Sequence, residues 1–120
     1  MTLGRFKNGR LARSVFWAAL TVIFVLAVVP HPPPVQASDK IQHMAAFATL
    51  AALGALAYAA TPPLKMIAGL SLFGALIEAV QAIPAVHRDA DVLDWLVDTL
   101  ACGIVLIVLA WWRRRAADAR

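Results

Sequence analysis

Apolar residues gather into four long runs, residues 15–29, 41–60, 64–82 and 92–112, separated by short polar or proline-rich breaks. Each run approaches the roughly 20 residues that an α-helix needs to cross a bilayer. The pattern predicts an all-α fold, a small polytopic membrane helical bundle of four transmembrane helices, or three if the first is a cleaved signal. Pro62-Pro63 stops the second run and leaves a loop so short that the second and third helices form an antiparallel hairpin. Pro84 ends the third run on the far side, and residues 85–90 make a short loop before the fourth.

The first run has a basic leader, a modest apolar stretch, the proline cluster Pro30 to Pro34 and the small-residue pattern Val35-Gln36-Ala37. It reads either as a secretory signal cut after Ala37 or as an uncleaved helix, for which Trp17 is an interfacial anchor and the prolines a stiff turn. The chain then divides into residues 1–37 (basic N-terminus with first helix or signal anchor), residues 38–112 (the main helical domain) and residues 113–120 (a basic tail). Small residues mark close helix approach: Ala45, Ala46, Ala48, Ala51, Ala52, Gly54 and Ala55 in the second run, and Gly69, Ser71, Gly74 and Ala75 in the third. They predict tight packing of these two helices on each other. Trp95 and the Trp111-Trp112 pair stand at opposite ends of the fourth run, as two aromatic belts do.

Composition points the same way. With 62% hydrophobic and only 15% charged residues in 120, and a mean hydropathy of +0.75, the chain belongs with integral membrane proteins and has room for one domain. Its net charge of +4 does not suggest nucleic acid, because the basic residues flank apolar helices without interleaved aromatics and suit topology and anionic lipid headgroups. The lone cysteine, Cys102, lies among apolar neighbours, excludes an internal disulfide and reads as packing.

Charge also sets an orientation. Four crossings return the chain to its starting side, so the positive-inside rule places Arg5, Lys7, Arg10, Arg13, Lys65, Arg113, Arg114, Arg115 and Arg120 in the cytoplasm, with both termini, in a multi-pass protein of the bacterial inner membrane. Against Asp118 alone that side carries +8. The outer side sets Lys40 and Arg88 against Asp39, Glu78, Asp89, Asp91, Asp94 and Asp98, a balance of −4. Its own cations cannot neutralise it, so protonated His43 or His87, protonated carboxyls, a metal ion, a cationic ligand or water must do so.

The outer polar residues fall on helix faces. Asp39 and His43 are four apart with Phe47 continuing the stripe, Glu78 and Gln81 are three apart, and Asp91, Asp94 and Asp98 step by three and four. At a rise of about 1.5 Å per residue all lie in the outer part of the bilayer. A charge at a helix centre costs about 2.5–3.5 kcal/mol on insertion scales, so these three faces turn toward one another. Local roles compete: Asp39 and Asp91 as helix N-caps with Gln42 and Asp94 at the third position, Lys40 snorkelling, Arg88 as a solvated loop charge or a two-pronged anion donor, His87 as a loop residue. Caps and loops do not account for His43, Glu78 and Asp98.

In these motifs, Asp39-Lys40-x-x-His43-x-x-x-Phe47, Glu78-x-x-Gln81 and Arg88-x-x-Asp91-x-x-Asp94-x-x-x-Asp98-Thr99 with Gly103, the chain resembles the VanZ-like membrane proteins, named for a member associated with teicoplanin resistance. The resemblance covers residues 38 to about 108. It implies a multi-pass bundle whose shared polar residues gather near one membrane face, and a link to the cell envelope and antibiotic resistance. Two positions depart from the pattern: Asp98 stands where Asn is frequent, and His87 where a Gly commonly precedes the arginine.

Three functional readings follow for the polar set Asp39, Lys40, His43, Glu78, Gln81, Arg88, Asp91, Asp94 and Asp98. The first is a pocket for an envelope component, a lipid-linked phosphate or another amphiphile, with Lys40 and Arg88 on the anionic group and His43 bridging to Glu78, Asp94 and Asp98. The second is a hydrolase or transferase using His43 with a carboxylate, with or without a divalent metal on His43, Glu78, Asp94 and Asp98. No HExxH or GxSxG motif supports a particular reaction. The third is a structural accessory subunit whose polar face locks the bundle or docks a partner. Membrane lipids are the expected partners in all three.

Overall fold

In the computed structural model the chain is all-helical, with α1 (Thr2–Val28), α2 (Asp39–Ala57), α3 (Pro63–Gln81) and α4 (Val92–Asp118), and one 3₁₀ turn at Pro84–Val86. The structure describes residues 2–29 and 39–120, with side chains for residues 9–29 and 40–120. The proline turn after α1 and the cleavage pattern ending at Ala37 lie outside the described residues. The helices alternate up and down. Gln81 at the end of α3 meets Ala27 at the end of α1, and Lys40 at the start of α2 meets Asp91 at the start of α4. One end of the bundle therefore gathers Lys40, Glu78, Arg88 and Asp91, and the other Arg13, Tyr58 and Arg113.

Among the described residues three helices are long and apolar enough to cross a membrane: Gly9–Val28, Pro63–Gln81 and Val92–Asp118, with mean hydropathies of 2.1, 1.5 and 2.2. They are compatible with a multi-pass membrane protein. Large apolar side chains such as Val22, Leu72, Leu76, Leu100, Ile104 and Ile107 point outward, a surface suited to lipid. The sequence suggests α2 as a fourth spanning helix, yet α2 falls outside this set, because Asp39, Lys40, Gln42 and His43 occupy its opening turns. Its 19 residues still reach roughly 28 Å at the α-helical rise. α2 is the helix most enclosed by the others, burying Phe47, Leu50, Ala51, Ala55 and Ala57, so much of its surface meets protein and not lipid.

Packing departs from the expected α2–α3 hairpin interface. α2 lies chiefly on α4 and next on α1, while α3 also lies chiefly on α4. The polar faces of α2 and α4 explain this: they must meet to leave the apolar surroundings. Close approach survives at Gly54, where a β-carbon would sit 2.9 Å from the Met66 sulfur and 3.3 Å from the Phe16 ring. The core joins Phe16, Phe47, Leu50, Leu70, Ile77, Cys102 and Leu106, and the Phe47 ring tilts against Phe73 at 5.8 Å.

Helix ends are fixed by side chains borrowed from other helices. Neither α1 nor α2 has a basic residue in its last turn. Arg88 donates to the carbonyls of Leu26 (3.2 Å) and Val29 (3.0 Å), and Gln81 to that of Ala27 (2.8 Å), so the C-terminus of α1 is capped from the α3–α4 side. At the opposite end Arg13 donates to Ala57 (3.3 Å) and Arg113 to Ala55 (3.0 Å). Cations at carbonyl ends satisfy orphan acceptors and oppose the helix dipole. α4 runs on to Asp118, beyond the expected end at residue 112, because the tail is made of the strong helix formers Arg and Ala and Arg115 folds over the Trp111 ring. Between α3 and α4, His87 adopts the left-handed conformation (φ 55°, ψ 43°). That is a conformation glycine enters without penalty, and it gives the loop a fixed shape with a histidine in it.

Candidate functional site

Lys40 and His43 share one face of the first turns of α2, Asp91 caps α4 with Asp94 and Asp98 one and two turns below, and Glu78 projects from the last turn of α3. At the rim, Lys40 Nζ stands 3.3 Å from Asp91 Oδ2 and 3.5 Å from Asp94 Oδ1. Beneath it, His43 Nε2 is 3.9 Å from Asp94 Oδ2, and His43 Nδ1 is 3.2 and 3.3 Å from the two oxygens of Asp98. Side-chain exposure falls from 49% at Lys40 and 43% at Asp91, through 15% at His43 and 10% at Asp94, to 0% at Asp98. The cluster is thus a shaft of stacked polar side chains, half-exposed at the bundle end and fully buried at Asp98. Cys102 and Phe47 lie buried below, the Cys102 thiol donating to the Phe47 carbonyl at 3.5 Å.

The Asp91 cap joins all three helices. Its Oδ1 accepts from the Leu93 N–H (2.9 Å), its Oδ2 faces Lys40, and its own N–H donates to Glu78 Oε2 (2.8 Å). The Leu93 N–H, helped by Lys40 and opposed by desolvation, holds the Asp91 carboxyl below its ordinary value of 3.8. Glu78 is thereby pinned by one oxygen. Its other oxygen, Oε1, is buried and without a hydrogen-bond partner among the described residues.

Of the residues singled out from the sequence, Lys40, His43, Glu78, Asp91, Asp94 and Asp98 come together. Asp39 begins α2, and its side chain lies outside the described residues. Arg88 and Gln81 do not join the network: both turn to carbonyls at the end of α1, which lack intrahelical partners. Gln81 is 2% exposed, with its Oε1 unpartnered among the described residues. His87 and Asp89 are exposed loop residues.

Sequence reasoning missed a second polar seam beside the shaft. The Trp95 indole, expected in an aromatic belt, is half-buried and donates to the Ser71 carbonyl at 2.9 Å, while Ser71 and Thr99 share a hydrogen bond of 2.9 Å. Thr99, four residues after Trp95 and one after Asp98, places a hydroxyl on the same helix flank and was the available signal. This seam sets α3 against α4 and so fixes Glu78 relative to Asp94.

Three of the four candidate metal ligands have suitable placement. His43, Glu78 and Asp94 each offer one donor atom, all within 4.8 Å of one another, whereas Asp98 stands behind the imidazole. Chemically the shaft can exchange protons through the His43–Asp98 pair, gather a cation among its carboxylates, or lock three helices together. Searches against protein-family models, curated proteins and solved structures matched no family, relative or fold.

Proposed function

We propose that this chain is a VanZ-like integral membrane protein of the bacterial inner membrane, with both termini cytoplasmic, whose polar shaft opens outward and takes the polar group of an envelope amphiphile or lipid-linked molecule. The observation that carries the reading is the convergence of Lys40, His43, Glu78, Asp91, Asp94 and Asp98, from three helices, into one shaft graded from half-exposed to fully buried. Fixing a bundle needs no open rim. Loops and caps would not seat His43 and Asp98 below it. The link to glycopeptide resistance rests on the motif resemblance alone.

Arg88, engaged at α1, leaves Lys40 as the Lys or Arg beside the shaft among the described residues, and Lys40 already faces two aspartates. An anionic ligand therefore needs additional positive charge at the site. A second reading, a membrane-embedded hydrolase or transferase, draws on the buried Asp98 behind His43, an arrangement that orients an imidazole for acid–base work.

Glu78→Gln tests the proposal, because it keeps the acceptor for the Asp91 N–H while removing a charge. Detergent-purified wild type should carry a co-purifying lipid or amphiphile, detected by mass spectrometry, that the variant loses at unchanged thermal stability. Absence of any retained molecule in the wild type, with stability unchanged or raised in the variant, would leave the shaft a structural network.

A further inference from the structure

We propose that His43, Glu78 and Asp94 form a binding site for one divalent metal ion of the zinc–manganese class, with Asp98 as a positioning residue behind His43. The inference deepens the reading of the shaft as a ligand site by naming what neutralises it.

The tautomer of His43 is the first argument. Asp98, fully buried, has His43 Nδ1 as its hydrogen-bond partner among the described residues, and an ionised carboxylate only accepts. With Asp98 ionised, Nδ1 carries the proton, and whenever the ring is neutral Nε2 presents a lone pair. Nε2 stands 3.9 Å from Asp94 Oδ2, too far for a hydrogen bond. Two ligands held about 2.0–2.2 Å from one ion stand roughly 3–3.6 Å apart, so small side-chain rotations seat an ion between them. A carboxylate donating its orientation to a metal-bound imidazole is the usual outer support of such sites.

Glu78 supplies the independent second observation. Its Oε2 is fixed by the Asp91 N–H, its Oε1 is buried without a partner among the described residues, and one of the two oxygens lies within 4.8 Å of donor atoms of His43 and Asp94. A buried acceptor left unmatched is costly, and a cation satisfies it directly. Charge agrees: with His43 neutral, Lys40 opposes Glu78, Asp91, Asp94 and Asp98, leaving −3, which one divalent ion reduces to −1. One imidazole nitrogen with two carboxylate oxygens and no thiolate suits zinc or manganese, since Cys102 is engaged with the Phe47 carbonyl. Three protein ligands also leave a coordination position open to an incoming group, with Lys40 next to Asp94 at the rim. Metal first, anion second is the order in which this shaft accepts an anionic ligand.

The test uses full-length protein in detergent, stripped with a chelator and titrated separately with Zn²⁺, Mn²⁺ and Mg²⁺ in the absence of added lipid. Calorimetry and elemental analysis should give about one Zn²⁺ or Mn²⁺ per chain, bound more tightly than Mg²⁺. His43→Gln and Glu78→Gln should each abolish that site, while His87→Ala in the loop leaves it intact. Asp98→Ala should weaken binding by about 10–100-fold, and Asp98→Asn, which keeps an acceptor for the Nδ1 proton, should restore most of it. Added Co²⁺ should give a ligand-field spectrum in the parent protein, a readout that needs no variant to fold. No stoichiometric binding in folded wild type, or binding that survives both His43→Gln and Glu78→Gln, overturns the metal site. A co-purifying amphiphile without metal also overturns it and leaves the broader reading standing, whereas metal without a retained amphiphile supports the site and removes that reading.

Discussion

Arg88→Ala separates two roles for one residue. Read from sequence, Arg88 is an anion-holding arm of the site; in the fold it closes the C-terminus of α1 with hydrogen bonds of 3.0 and 3.2 Å to Val29 and Leu26. Hydrogen bonds from a charged donor contribute about 1.5–3 kcal/mol each when well buried, and a cation at a helix C-terminus about 0.3–1 kcal/mol. One of the two bonds is exposed and the other only part-buried, so the lower part of these ranges applies. The expected loss is about 2 kcal/mol, partly recovered if water reaches the freed carbonyls. For a chain of this size that corresponds to a fall of roughly 5–10 °C in thermal midpoint. Arg88→Lys keeps the charge but not the planar fork that spans two carbonyls, and should recover about half. The assay is detergent thermal unfolding followed by circular dichroism, run beside the inventory of co-purifying lipid. An unchanged midpoint together with lost ligand would show that Arg88 serves the site, and the capping argument would fail.

His87→Gly should raise stability by about 1 kcal/mol, a left-handed penalty of about 1–2 kcal/mol reduced by the extra freedom glycine loses on folding; an unchanged or lower midpoint contradicts this. The Asp91 carboxyl, held below its ordinary 3.8, stabilises the fold above that pH and ceases to as pH falls through the folded-state value. Wild type should therefore exceed Asp91→Asn in thermal midpoint by more at about pH 6 than at about pH 3, and a pH-independent difference would refute it. In a Cys102→Ala background, single cysteines at positions 38 and 87 should react with an impermeant reagent from outside only. Labelling of Ser38→Cys solely from the cytoplasm reverses the orientation.

Most of the helical architecture was legible because it depends on run length and composition, which each segment carries by itself. The Pro63 start of α3 and the Asp91 cap of α4 are local chemistry and were readable to within a residue. What the sequence hid was choice of partner. Small residues in α2 and α3 advertise close approach without saying to which helix, and the larger cost of stranding His43 and Asp98 in an apolar environment assigned α2 to α4. Arg88 and Gln81 were misplaced for a related reason: the open carbonyls of α1 are created by a helix end some fifty residues away, and no spacing within residues 78–98 reveals it.

The same constraint explains why a structural network and a ligand site are hard to separate here, and which residues separate them. Any charged side chain in an apolar bundle must find partners, so convergence by itself follows from folding. A network selected only for folding would satisfy each acceptor and balance its charge, since a half-satisfied polar cluster is worse than an apolar one. This shaft does neither among its described residues. Glu78 Oε1 is buried without a partner, His43 Nε2 stands 3.9 Å from Asp94 Oδ2 without a hydrogen bond between them, and the carboxylates outnumber Lys40. His43, Glu78 and Asp94 each bring one donor atom within 4.8 Å of the others. Gln81 Oε1, also buried without a partner among the described residues, lies outside this set at the end of α1. If the proposed divalent ion sits there, its removal should leave these groups unmatched, and the metal titration tests that directly.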